Sequence, residues 1–203
     1  MEYEYIGFAE SVLESILSYS SVNSLLRLAS YVFCALSLYT IAQRRCIRKA
    51  WLAWVPVLNV WILGSISDQY RYVAKGEVRN KRKVLLTVSI LQIIVAAVAA
   101  IKLAVNLALA VAGVAQGCDE MEVIRWFLSS LAYFVPVAIL SLVGLVFRAM
   151  ALYDLYSSCE PANNVLYLIL SIIPGISHIT RPLFLFLCRN QDGGMPPRRE
   201  ENA

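Results

Sequence analysis

Apolar residues run in long blocks separated by short charged stretches, and these blocks set the organisation of the chain. From Val22 to Ala42 the only charge is Arg27, close enough to the start for its long stem to reach an interface. A block of this length predicts a membrane-spanning helix, which takes about 20 residues. Arg44, Arg45, Arg48 and Lys49 stop it. Ahead of it, residues 1–20 set Ile6, Val12, Leu13, Ile16 and Leu17 among glutamates, the pattern of a short amphipathic helix lying on a membrane.

The second block, residues 50–66, has basic residues on both sides. Arg44–Lys49 precede it, and Arg71, Lys75, Arg79, Lys81, Arg82 and Lys83 follow. A spanning helix carries its Lys/Arg excess on one side only. Pro56 also removes an amide donor in the middle of the block, three residues before Asn59. The segment is therefore expected to enter the membrane and return to the same face as a re-entrant or interfacial hairpin. Irregular backbone at that depth is tolerated where protein buries it.

Residues 84–115 form the longest apolar run, with a span expected over 84–112. At about 1.5 Å per residue the run exceeds a hydrocarbon core of about 30 Å, so the helix must tilt or protrude. Lys102 and Asn106 suit either a protruding end or a polar face turned into a bundle. Ala96, Ala100, Ala104, Ala108 and Ala112 recur at four-residue spacing, which lets two helix backbones approach closely. A polar, acidic stretch from Gln116 to Arg125 then reads as an outer loop. A third span is expected over 126–147, with Pro136 as a kink and Arg148 closing it.

The last block, residues 165–188, is broken by Pro174-Gly175, His178, Arg181 and Pro182. An arginine at the centre of a spanning helix costs about 2.5–3.5 kcal/mol. A second hairpin, turning at Pro174–His178, avoids that cost. The two hairpins share a Pro-x-x-polar break, Pro56 to Asn59 and Pro174 to Ser177. Residues 191–203 read as a disordered polar tail.

The sum is an all-α, multi-pass integral membrane helical bundle in one domain, residues 1–190, with three full spans and two hairpins. Composition agrees: 59% of residues are hydrophobic and 16% charged, against about 25% charged in soluble domains. Residues 1–20 lack the positive n-region of a signal peptide. With the N-terminus outside and the C-terminus cytoplasmic in a cell membrane, all but Arg27, Lys102 and Arg125 of the 18 Lys/Arg lie inside, as the orientation rule demands. The net charge of +4 then reports topology rather than nucleic-acid binding. The bilayer is the first expected partner. The basic residues Arg71, Lys75, Arg79, Lys81, Arg82 and Lys83 are expected to meet anionic headgroups, each worth about 1 kcal/mol. The alanine stripe is expected to pack on a helix of this chain, of another membrane protein or of a second copy.

Candidate chemistry is sparse. His178 is the only histidine, and with Ser177 beside it and Asp154 or Asp68 elsewhere it suggests a hydrolytic constellation. No nucleophile elbow or metalloprotease motif supports that. The five cysteines form no C-x-x-C pair, and a zinc site from His178, Cys46, Cys159 and Cys188 has irregular spacing; no metal or cofactor is expected. Asn59, Ser177, His178 and Lys102 are candidates for a polar path, with Pro56 and Pro174 as the hairpin breaks.

The stretch bearing Trp51, Trp54, Pro56 and Asn59 beside a basic loop resembles small bacterial multi-pass membrane proteins that share a W-x-x-x-P-x-x-N-like segment. The Pro174 region and Gly194-Met-Pro-Pro197 extend the likeness to about a fifth of the chain. The resemblance implies a multi-pass membrane fold and no particular activity. The leading expectation is a non-enzymatic interaction or accessory subunit. The alternatives are a small channel or transporter component and a membrane-embedded hydrolase using His178.

Overall fold

A computed structural model describes residues 2–116, 120–173 and 175–192. The described residues are helical throughout: α1 Glu2–Arg44, a 3₁₀ helix Ala50–Trp54, α2 Asn59–Lys75, α3 Lys81–Gln116, α4 Glu120–Cys159, α5 Asn164–Ile172 and α6 Ser177–Gln191. Three of these helices are long and apolar enough to cross a membrane, over Ser21–Arg44, Lys81–Gly113 and Ile124–Cys159. They match the three expected spans. The separate amphipathic helix expected over 1–20 is continuous with the first span, because α1 runs unbroken from Glu2. α4 likewise runs on through Pro136.

Two short helical hairpins account for the two broken blocks. After Arg44 the chain reverses through Cys46 and Lys49, both with left-handed backbone (φ 54° and 65°), a conformation non-glycine residues seldom adopt. The 3₁₀ helix then runs back alongside α1 until the carbonyl of Trp54 accepts the Tyr31 hydroxyl at 2.6 Å. Tyr31 lies about 20 Å of helix rise from Arg44. From Asn59, α2 returns, and Gln69 Nε2 donates to the Arg45 carbonyl at 3.1 Å, which closes the hairpin at its base. Gly76, left-handed at φ 67°, ends α2, and the Glu77 amide bonds back to Arg71 O.

The second hairpin, α5 and α6, also begins and ends at this base. Asn164 Nδ2 bonds Ser157 on α4, and Arg44 Nη1 caps the last carbonyls of α6 at Arg189 and Asp192 (2.6 and 2.9 Å). Arms α5 and α6 are joined by Tyr167 stacked on Phe184 at 4.3 Å and by Thr180 Oγ1 bonded to Leu170 O. At the base, Asn163, Gln191 and Tyr167 hydrogen-bond the Glu160 carboxylate and hold it below the usual carboxylate range. Pro174, the expected break, lies outside the described residues; Gly175 beside it has φ 94°.

α3 and α4 pair antiparallel along their whole length. Lys81 stands opposite Asp154, Gln92 Nε2 bonds Ser141 at 3.1 Å, and Asn106 Nδ2 reaches Ser129 and Ser130, each at 2.9 Å. Such interhelical bonds average about 0.6 kcal/mol in membrane bundles and fix register. At 36 and 40 residues these helices rise about 54 and 60 Å, so the pair extends beyond the short hairpins. The alanine stripe Ala96, Ala100, Ala104, Ala108 and Ala112 is exposed, and it is Ala99 on the α4 side that is buried. Among the described residues no helix covers the stripe.

The apolar core sits at the base, built from Ile41, Ile62, Ile66, Leu85, Leu155, Tyr156 and Leu185. Two ion-pair groups close it. Asp154 of α4, fully buried, accepts from Ser67 Oγ, from Arg71 Nε at 2.9 Å and from Lys81 Nζ at 2.7 Å. The bond to Asp154 raises the Arg71 pKa further. Asp68 accepts the amides of Lys81 and Arg82, so a carboxylate of α2 serves as the N-terminal cap of α3. Arg45 and Asp192, both buried, pair at 2.9 Å, and Arg45 Nη2 also bonds Ser158 of α4. Asp192 therefore belongs to the folded base, although the sequence reads it as part of a disordered tail; residues 193–203 lie outside the described residues.

Two stability measurements check this packing, both by thermal unfolding in detergent. A Cβ at Gly64 would lie 2.5 Å from Arg82 Cα, whereas at Gly144 the nearest atom is the flexible Gln92 Oε1 at 3.3 Å. Gly64→Ala is expected to lower stability by about 1–3 kcal/mol. Gly144→Ala should cost much less, and equal losses would refute the close α2–α3 crossing. Asp154→Ala leaves Arg71 and Lys81 without their shared anion and is expected to cost about 3–5 kcal/mol. A loss below about 1 kcal/mol would show that Asp154 does not hold the base together.

Candidate anion-binding cavity

The tips of the two hairpins meet between α1 and α4, and they leave a cavity of about 290 Å³. One face of α1 supplies Arg27, Tyr31, Cys34 and Leu38, spaced so that they line up along the helix. The first hairpin contributes Pro56, Asn59 and Leu63; the second contributes Ser177, His178 and Arg181; α4 contributes Arg148 and Leu152. Arg27 and His178 are exposed at one end, while Leu38, Val60 and Leu185 are buried at the other. From Arg27 to Leu38 the cavity follows about 16 Å of α1. Its floor faces the base and its mouth the opposite end.

The charge of this cavity is one-sided. Arg27, Arg148 and Arg181 line it, and among the described residues no Asp or Glu does. Among the described residues none of the three arginines forms an ion pair, and Asp154 and Asp192 are engaged at the base. Arg148 Nη2 touches only a hydroxyl, Ser89 Oγ at 3.3 Å. Arg181 Nη2 bonds the Ser171 carbonyl at 3.0 Å, while its Nε is buried with no partner. Helix direction adds to this. α2 begins at Asn59 and α6 at Ser177, so two helix N-termini open onto the cavity. Each carries roughly half a positive charge, although most first-turn amides are already taken by the preceding turn, Asn59 N by Val55 O and Ser177 N by Ile173 O. Neither helix has a side-chain cap at its start.

The structure thus brings together Asn59, Ser177, His178 and Pro56, four of the residues singled out from sequence. Lys102 is not among them. It lies on α3 well beyond Gln92, with its ammonium 5.9 Å from the Tyr133 ring centroid. Asp154 and Asp68 are committed to the base, so neither orients His178. His178 and Cys188 are separated by about 15 Å of α6, which dissolves the imagined zinc set. Two of the basic residues expected on lipid are turned inward: Lys81 is 6% exposed, and it and Arg71 bind Asp154. Arg79 pairs with Glu77, and Arg82 lies over the Trp61 ring at 5.5 Å. Lys75 and Lys83 are exposed.

Sequence reasoning missed the three arginines as a set. Each had a local explanation: interface snorkelling for Arg27, a span terminus for Arg148, an awkward break for Arg181. The usable signal was that all three fall within or against apolar blocks, where an ionisable side chain marks a functional site by default. Comparison with known proteins gives no match to any family model, curated protein or solved structure.

Proposed function

We propose that this chain is an integral membrane protein that binds an anion in the cavity between its hairpin tips, as a small transporter or receptor component. One observation carries the reading: three arginines and two helix N-termini converge on a cavity that, among the described residues, no carboxylate lines. In a low-dielectric setting, like charges this close repel and an uncompensated guanidinium is costly, so an anion there is strongly favoured. Discontinuous helices whose N-termini face an anionic group are a recurring design in membrane solute sites. Among the described residues no acid shares a cavity with His178 to support the hydrolase alternative.

The arrangement in the bilayer follows from the same geometry. Both hairpins start and end at the base, where Arg44, Arg45, Arg71, Lys81 and Arg189 gather. With that base at the cytoplasmic face, the hairpins rise about 20 Å into a core of about 30 Å and turn back. The N-terminus is then outside, and the cavity mouth opens toward the outer leaflet. The ion pairs Arg45–Asp192 and Asp154–Lys81 close the cytoplasmic end. The exposed alanine stripe leaves room for a partner helix, which keeps assembly with another membrane protein compatible with the reading.

Two experiments test it. Isothermal titration of purified protein with glycerol 3-phosphate, and with choline as the cationic control, should give binding for the anion alone. The pair Arg148→Gln/Arg181→Gln is expected to weaken that binding at least about tenfold, 1.4 kcal/mol. Unchanged affinity in a folded double variant, or equal binding of choline, would overturn the anion site. For topology, a membrane-impermeant thiol reagent on intact cells should label Cys118 and leave Cys46 and Cys159 unlabelled. External labelling of Gly76→Cys would sink the hairpin arrangement.

A further inference from the structure

The cavity has an apolar neighbour. Between α1 and α6 runs a groove of about 270 Å³ walled by Leu26, Ala29, Phe33, Ile179, Leu183 and Phe186. Ser30 and His178 line both spaces, so groove and cavity are contiguous. α1 and α6 run side by side toward the base, where Arg44 meets the end of α6. The groove accordingly descends from the cavity mouth: Phe33 meets Phe186 edge to face at 6.1 Å, and the Arg189 guanidinium lies 5.1 Å over Phe186 at the lower end. From His178 to Phe186 it covers about 12 Å of helix rise. Leu26, Phe33, Ile179 and Leu183 are each 44–57% exposed.

Resting on the anion reading above, we infer that the ligand is an anionic amphiphile: a lipid whose phosphate sits among Arg27, Arg148 and Arg181 and whose acyl chain lies in the α1–α6 groove. Charge selects the headgroup, since the cavity offers guanidinium groups and two helix N-termini and, among the described residues, no competing carboxylate. Contiguity selects the chain. A soluble anion would fill the polar space and leave the exposed leucines, isoleucine and phenylalanine beside it unused. Direction agrees as well: phosphate at the mouth and chain running toward the base is the orientation a lipid has in the leaflet on the N-terminal side. The buried, unpartnered Nε of Arg181 stands where the headgroup would be held.

Native mass spectrometry of the full chain, released from detergent, tests this with three probes: phosphatidylglycerol, phosphatidylcholine and glycerol 3-phosphate. Phosphatidylglycerol is expected to remain bound one to one, at least about tenfold tighter than either of the others. Leu183→Trp, which fills the groove from an exposed position, should weaken phosphatidylglycerol about tenfold and leave glycerol 3-phosphate unchanged. Arg148→Gln/Arg181→Gln should lose both anions. Glycerol 3-phosphate binding as tightly as phosphatidylglycerol, or indifference to Leu183→Trp, would overturn the amphiphile and leave the anion site standing. Equal retention of phosphatidylcholine would mark the lipid as annular only. Phosphatidylglycerol that survives loss of both arginines would be held on the exposed Lys75 and Lys83 surface, which overturns the proposal. Binding of neither anion to the wild-type chain would remove both readings.

Discussion

One buried carboxylate organises this fold. Asp154 sits on α4 with no exposed surface and takes a hydroxyl from Ser67, a guanidinium from Arg71 and an ammonium from Lys81. Those groups come from the end of the first hairpin and the first turn of α3. A single anion thereby fixes where α2 stops, where α3 starts and how both lie on α4. The link between α2 and α3 is further tightened by Asp68, which caps α3, and by Gly64, whose missing side chain lets the backbone of Arg82 come close. Removing two opposite charges from water is costly, and the stabilisation is recovered only when the geometry is shared among several partners. Asp154 meets that condition on one oxygen; its Oδ1 has no partner.

The Arg45–Asp192 pair does the corresponding work for the second hairpin, tying the end of α1 to the end of α6 and, through Ser158, to α4. Among the described residues the acids that form ion pairs, Glu77, Asp154 and Asp192, all lie at one end. This is why the hairpin tips carry an unbalanced charge. Both hairpins turn back early, which places the N-termini of α2 and α6 inside the bundle. Arg148 and Arg181 are then held in place by neutral groups, Ser89 Oγ and Ser171 O, rather than by acids. Segregation of charge along the bundle axis, with pairing at the base and excess at the tips, is a direct product of where the chain reverses.

Much of the architecture was legible in the apolar blocks. The three long helices fall where uninterrupted hydrophobic runs demanded them, and Pro56, with basic residues on both flanks, marked a block that turns back. What was not legible depended on pairing across distant parts of the chain. Nothing local distinguishes Lys81, buried on Asp154, from Lys83, which is exposed two residues later. Nor does local pattern tell that Asp192, in a polar tail sequence, is the buried partner of Arg45. The alanine stripe shows the opposite failure: its spacing was real, but α3 meets α4 through Gln92, Ala99 and Asn106 instead, since those side chains can hydrogen-bond or nest against the serines of α4.

Cavity and base are built on the same helices. α4 carries Arg148 in the cavity and Asp154 in the base, less than two helical turns apart. α2 begins at the cavity with Asn59 and ends at the base with Arg71; α6 begins there with Ser177 and ends beside Asp192. Every element that contributes a donor to the cavity is therefore also clamped by an ion pair at the other end. The residues that line the tips and the ion pairs that close the base thus stand on the same continuous helices.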